Sequence, residues 1–236
     1  MKKLELLREL NKSSVFNLKK VKEIMNTNND YAKLVIHRLK KDKLIFEIER
    51  NKYTIQKDLF IIASNIIWPS YISCWPALRY YNLTEQLPDN FFIITTKAKK
   101  KREIEFDNIK IIFIKTAPKY FFGYKKERYG NFDIFIADRE KAIIDSILFK
   151  KISISEIYDS IKNNKEEINF DLLINYLIKV KNKTLIKRFG FLLDKLGIDT
   201  QKLKKLIDSK YVSLEYFVKT KGEKNKKWKV VENVNP

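Results

Sequence analysis

The sequence predicts an α+β protein, and three patterns along its 236 residues carry that prediction. Apolar residues recur at helical spacing over residues 4–39 and then give way to two short alternating segments. The middle third is broken into short runs rich in Ile and Phe. From residue 151 onward, apolar residues again fall three and four apart. A hydrophobic fraction of 44% with only five Gly and five Pro fits a folded chain without long flexible linkers. At this length there is room for about two domains, each with its own core.

The elements follow in order. In KKLELLREL, Leu4, Leu7 and Leu10 are expected on one face of a short first helix. Asn17 is placed to cap a second helix, with Leu18, Val21 and Met25 inward and Lys19, Lys20 and Lys22 outward. A third helix begins after NTNND; Ala32, Val35, Ile36 and Leu39 make its core stripe, and Lys33, His37, Lys40 and Lys41 lie opposite. LIFEIERNKYTIQ supplies alternating segments at 44–48 and 53–55 around a polar turn of Arg50, Asn51 and Lys52. Three helices followed by a hairpin spell a winged helix-turn-helix over residues 1–58.

A helix whose apolar side is taken up by the core offers its other face to solvent or to a partner. In a DNA major groove, Asn28, Asn29, Tyr31, Lys33 and His37 would reach base edges, and Lys40 and Lys41 would lie nearer phosphates. Lys19 and Lys20 on the second helix join the candidate contacts, and Arg50 and Lys52 on the wing would touch the adjacent backbone or minor groove. A solvated helix in a lysine-rich protein, or a winged helix that binds protein, explains the same residues; topology and charge together favour double-stranded DNA. The 49 Lys and Arg against 29 Asp and Glu give a net charge of +20, which favours an anionic partner. That charge is spread as +7 over 1–58, +5 over 59–150 and +8 over 151–236, so it does not locate a face. Richness in Lys, Ile and Asn is also what an AT-rich coding sequence produces.

Residues 59–236 read as a second, mixed α/β domain: strands and helices over 59–150, helices over 151–208, and terminal strands over 211–231. It opens on the uncharged stretch LFIIASNIIWPSYISCWPAL, residues 59–78. Pro69 and Pro76 interrupt any membrane-spanning helix there, so the stretch reads as a helix end, a Pro-bounded turn and a second helix. Ser73 is the expected N-cap of that helix, and Pro76 falls in its first turn, where no hydrogen bond is lost. FFIITT, IKIIFIK, KYFFGY and FDIFIA are β-type runs, with FDNIK as a turn. Asp138 is the expected cap of a helix burying Ala142, Ile143, Leu148 and Phe149.

Lys97, Lys99, Lys100 and Lys101 in KAKKK either clamp phosphate or form a solvated loop, and the loop is favoured. KYFFGYKKERYGNF mixes aromatics with bases; core packing with bends at Gly123 and Gly130 is favoured over base stacking. In the helical portion Gly197 closes the third helix and Asp199 or Thr200 caps the fourth. The end of the chain reads as two strands around the basic turn KTKGEKNKK.

Chemistry-bearing residues are few. A single Cys, Cys74, and a single His, His37, exclude an intramolecular disulfide, a Cys-based zinc site and His-pair metal motifs. No metal and no cofactor is expected, a reducing cytoplasm is therefore the expected compartment, and MKKLELLREL, which lacks the apolar core of a signal peptide, implies no export. Neither a Gly-Ser pair nor an Asp-x-Asp pair occurs, which argues against a nucleotidyltransferase. A hydrolase lacks a His base outside the third helix. Asp133, Asp138, Glu140 and Lys141 would suit a metal nuclease, but helix capping explains the same residues with less. The chain is read as a non-enzyme.

IASNIIWPSYISCWPALRYYNLTEQLP, FFIITTKAKKKREIEF, FFGYKKERYGNFDIFIADREKAIIDSILF and LIKRFGFLLDKLG resemble, in order, the successive signatures of the AbiEi family of abortive-infection antitoxins. The resemblance extends over nearly the whole chain and is weakest in residues 1–58. Matching positions include Pro69, Ser70, Tyr71, Ser73, Ala77, Leu78, Tyr81 and Thr84, then Ala137, Asp138, Glu140 and Lys141, then Lys187, Arg188 and Gly190. Trp75 and Pro76 depart from the polar residues expected there, and Asn82 stands where Gly is common. The resemblance implies a transcriptional autorepressor that binds its own operator through the winged helix. It also implies a functional pairing with a nucleotidyltransferase-like toxin encoded next door, the C-terminal domain being associated with antitoxic activity. Lys187 and Arg188 join Lys97, Lys99, Lys100 and Lys101 as candidate phosphate or partner contacts. The alternative is a winged-helix module that binds a protein or RNA and has no operator.

Overall fold

A computed structural model describes residues 2–219 and 221–236. The fold is mixed α and β and divides into two compact units. One comprises Met1–Ile72, Asp89–Thr116 and Lys126–Ile136; the other comprises Ser73–Pro88, Ala117–Lys125 and Ala137–Pro236.

The first unit begins with α1 (Lys3–Leu10), α2 (Leu18–Met25) and α3 (Asn29–Lys41), followed by the antiparallel pair β1 (Phe46–Glu49) and β2 (Lys52–Thr54). The Asn17 side chain accepts from the Lys20 amide and the Asn28 side chain from the Tyr31 amide, so α2 and α3 both start on the capping residues their sequences offer. Leu6, Leu10, Phe16, Val21, Ala32, Ile36, Leu39 and Ile45 form one buried cluster. The phase of α1 differs from expectation: Leu6 and Leu10 face the core, Leu7 is half-buried and Leu4 is 80% exposed. An eight-residue helix with Leu at four positions presents two possible apolar faces, and packing against α2 selects the Leu6–Leu10 one. Phe16 bridges Tyr53 through a reciprocal pair of backbone hydrogen bonds of 2.9 and 2.8 Å. The Leu18 amide donates to the Asn51 side chain (3.0 Å), which fastens the hairpin turn to the start of α2.

After α4 (Leu59–Ser64), capped by Asp58, comes β3 (Ser70–Ser73), and then α5 (Trp75–Tyr80). A strand therefore occupies the place where a turn was expected. All four of its residues are buried, so it lacks the polar–apolar alternation that would have announced it. Ser73, expected as the N-cap of α5, lies in this strand; Cys74 holds the cap position at φ 58° without a side-chain capping bond, and Pro76 does fall in the first turn.

Next come β4 (Asn90–Thr95), β5 (Glu103–Phe106), β6 (Ile109–Lys115), β7 (Tyr124–Tyr129) and β8 (Phe132–Ala137). With β3 they form a six-stranded sheet in the order β5-β6-β4-β3-β8-β7, parallel across β4–β6 and β3–β8 and antiparallel across β5–β6. Asp107 and Asn108 turn β5 into β6, both with positive φ. KYFFGY is not a strand as expected: Pro118–Tyr120 is a single 3-10 turn, and Gly123 bends at φ 68° into β7. A Cβ on Gly123 would sit 3.0 Å from both Lys141 and Tyr176.

The second unit is built on α6 (Arg139–Leu148), α7 (Ile154–Asn163), α8 (Phe170–Val180), α9 (Lys183–Lys195) and α10 (Gln201–Lys204). Asp138 caps α6, as expected, and its carboxyl is pushed up by burial, against hydrogen bonds from Tyr176 and the Lys141 amide that favour its ionised form. Thr200 holds the N-cap position of α10, but Asp199, not Thr200, supplies the side-chain hydrogen bond, accepting from the Gln201 amide (3.0 Å). Asn82, where glycine was the expected residue, has φ 57°; Asn tolerates that left-handed conformation. Eight consecutive residues of α6, Glu140 to Ile147, are buried. Among them Lys141 and Asp145 pair one turn apart with no side-chain exposure, and Ser73 donates to the other Asp145 oxygen (2.9 Å). Cys74 is fully buried nearby, and burial pushes its thiol well above the usual range.

At the end of the chain, β9 (Val212–Ser213), β10 (Glu223–Asn225) and β11 (Val230–Glu232) form a three-stranded sheet ordered β10-β11-β9. The two expected strands are β9 and β11, and they run parallel; β10 arises inside the supposed basic turn and pairs antiparallel with β11. Trp228, fully buried, lies over Gly190 of α9, where an added Cβ would come within 2.1 Å of the indole. Among the described residues no helix is long and apolar enough to cross a membrane.

Two stability outcomes follow from this packing. Lys141→Met removes one member of the buried Lys141–Asp145 pair and should destabilise the protein by about 3–5 kcal/mol in chemical denaturation, while replacing both partners with apolar residues of similar volume should cost far less. Gly190→Ala forces the Trp228 ring to move and should lower stability by about 1–3 kcal/mol.

Candidate nucleic-acid interface

Burial of Ala32, Ile36 and Leu39 turns the rest of α3 outward. Asn28, Asn29, Tyr31, Lys33, His37, Lys40 and Lys41 are all exposed. The hairpin folds back beside this face, and Lys33, His37 and Lys40 line one concave surface with Arg50 and Asn51 of the turn; Leu18, Ile36 and Tyr53 complete its floor and Glu47 its wall. Asn51 makes the turn at φ 60°, a left-handed conformation that Asn tolerates, and its side chain is held by the Leu18 amide. Arg50 is thereby presented from a tethered turn, and it has no ion-pair partner among the described residues.

The cations of the groove are only lightly engaged. Lys33 pairs with Asp30 at 3.2 Å and Lys40 pairs with Glu47, and these side chains are well exposed. Ion pairs of this kind contribute about 0–1 kcal/mol to stability. The arrangement presents ammonium and guanidinium donors along about two helix turns beside the hairpin, which suits a polyanion with groove-lining acceptors.

Other expected contacts lie elsewhere. Tyr31 is one face round the helix, lining a separate depression with Val35 and Arg38 of α3, Asp42 at its C-cap, and Lys3 and Leu6 of α1. Asn28 spends its side-chain oxygen on the α3 cap (2.9 Å). Lys19 and Lys20 border another depression, with Asn17, Lys52 and Asn65, and Lys19 reaches Glu23 at 3.8 Å. Lys52 is turned inward: it donates to the Ile66 carbonyl (2.6 Å) and pairs with Glu49 (2.9 Å).

Lys97, Lys100 and Lys101 are exposed, whereas Lys99 pairs with Glu49 and lies 4.8 Å from the centre of the Phe113 ring. Burial pushes the Glu49 carboxyl up, but hydrogen bonds from Lys99 and Lys52 outweigh it and hold the group below the ordinary Glu range. Glu49 thus clamps the hairpin to the basic loop and uses up two of the expected phosphate ligands.

Lys187 and Arg188 correct the expectation of surface contacts. Both are buried. Lys187 donates to Asp208 and to the Lys210 carbonyl, and Arg188 to the Ser213 and Leu214 carbonyls at 2.9–3.1 Å, with its guanidinium 5.1 Å from the centre of the Tyr216 ring. Their charges are spent tying α9 to the terminal strands of the second unit. Among the described residues no group of three or more His, Cys, Asp or Glu is arranged to hold a metal.

Sequence reasoning missed Glu47 and the tether at Asn51. The alternation FEIE, which buries Ile48 and leaves Glu47 exposed, carried the signal for Glu47. The Lys187 hydrogen bond and charge bring the Asp208 carboxyl down from 3.8 to about 2. A depressed folded-state value means that this stabilisation is present above about pH 4 and is lost as pH falls toward 2. The stability difference between wild type and Asp208→Asn should therefore shrink across that window in denaturation curves taken from pH 5 to pH 2. Compared with known families and with curated proteins, the chain matches no family model and no curated protein.

Proposed function

We propose that this chain is a sequence-specific, double-stranded-DNA-binding transcriptional repressor whose first three helices and hairpin act as a winged helix-turn-helix. The observation that carries the reading is the shared concave surface in which Lys33, His37 and Lys40 of α3 meet Arg50 and Asn51 of the hairpin turn. A recognition helix and a wing need that juxtaposition: the helix reads base edges in a major groove while the turn contacts the flanking backbone or minor groove. Asn29 and Lys41, exposed at the two ends of α3, extend the contact. Exposed Lys97, Lys100 and Lys101 are further candidates for phosphate, and Lys52 and Lys99 serve by holding the hairpin through Glu49.

The resemblance of residues 62–197 to AbiEi antitoxins supports a narrower reading, in which the protein represses its own operator and opposes a nucleotidyltransferase-like toxin in the cytoplasm. In that reading the protein has no catalytic residues of its own and works without a cofactor.

The test is binding to the duplex upstream of the protein's own coding sequence. The Lys33→Ala, His37→Ala, Lys40→Ala triple variant should bind it at least tenfold more weakly than wild type, from the loss of three candidate phosphate or base contacts. Equal binding by the two proteins removes α3 as the recognition helix. Wild-type affinity should fall steeply with salt, since each phosphate contact releases a counterion and adds about 0.9 to the logarithmic slope; a flat response rejects phosphate-dominated binding.

A further inference from the structure

One acid stands among the bases of the groove. Glu47, on β1, lines it together with Lys33, His37, Lys40 and Arg50, and its carboxylate accepts a hydrogen bond from the Lys40 ammonium. The same two side chains also border a neighbouring depression with Phe46, Lys57, Glu105 and Phe106, so the pair divides a basic surface from a mixed one. Stability does not explain the carboxylate. The two side chains are 41% and 35% exposed, and pairs so exposed contribute little. Glu49, two residues on, does have a structural task in holding Lys99 and Lys52. Among the described residues Glu47 has no ion-pair partner but Lys40.

A carboxylate in a phosphate-binding groove acts against generic DNA in two ways. It repels the backbone, and it neutralises a lysine that would otherwise attract it. Ionised, it accepts hydrogen bonds and donates none, so a base edge satisfies it only with an exocyclic amino group, cytosine N4 or adenine N6 in the major groove. We infer that Glu47 is a specificity-determining residue: by pairing with Lys40 and offering an acceptor, it suppresses sequence-independent binding and favours a site with an amino-bearing base at its position. This inference rests on the DNA-binding reading above.

The test uses full-length wild type, Glu47→Gln, Lys40→Ala and the double variant. Each is titrated with the protein's upstream duplex and with a random duplex of equal length over a series of salt concentrations. Glu47→Gln frees Lys40 for phosphate. It should bind the random duplex about tenfold tighter at low salt, with a logarithmic salt slope steeper by about one. Its preference for the upstream duplex should fall about tenfold. In the Lys40→Ala background the same substitution should leave the slope unchanged.

If wild type discriminates between the duplexes and Glu47→Gln keeps the same preference and slope, the inference is overturned while the DNA-binding reading stands. A steeper slope that persists without Lys40 also overturns it, because the effect would then not pass through the pair. If wild type binds neither duplex, the proposed function fails and this inference with it.

Discussion

The burial of Ala32, Ile36 and Leu39 against Leu6, Leu10 and Val21 decides which way α3 faces, and the properties of the first unit follow from that choice. A helix of thirteen residues has only so much circumference; once one stripe is committed to the core, Lys33, His37 and Lys40 have nowhere to go but outward. The hairpin is then fixed relative to that face by bonds at three points. Phe16 pairs with Tyr53 along the backbone, Asn51 accepts from Leu18, and Glu49 grips Lys99 and Lys52. None of these contacts is strong alone, but together they leave the turn bearing Arg50 little freedom to drift from the helix beside it.

The second unit solves a different problem. It buries ionised groups and must satisfy each of them. Lys141 answers Asp145, Ser73 occupies the remaining carboxylate oxygen, and Arg188 is held by two backbone carbonyls and an aromatic ring. Burial lowers the Arg188 guanidinium from its ordinary value, with Tyr216 and Glu215 acting in the opposite direction. Such networks tolerate few rearrangements, since removing any one member takes a hydrogen bond or ion pair from the others in a desolvated setting.

How much of this was legible in the sequence depended on how local each determinant was. The caps at Asn17 and Asp138 and the stripe on α3 are written within a few residues of where they act, and the sequence alone places them; Asn28, expected at base edges, instead caps α3. β3 was not, because its neighbours cover both of its faces and Ser73 finds its partner in Asp145, 72 positions away. Lys187 and Arg188 look like surface charge until the segment at 208–214 closes over them. In the groove, the cations were read from the helix period, but the acid opposite them was not, since it enters from a strand whose register with α3 no local pattern specifies.

The corners of the chain have one more consequence. Asn26, Asn51, Asn82 and Asn108 all adopt positive φ, a role more often filled by glycine, of which this chain has five. An asparagine reaches that conformation at modest cost, but in the unfolded chain it samples far less of backbone space than glycine does. Turns built this way surrender less entropy when they form. At Asn51 the same economy of motion applies in the folded protein, so under the proposed DNA-binding reading the tip of the hairpin would meet a duplex already shaped rather than having to be shaped by it.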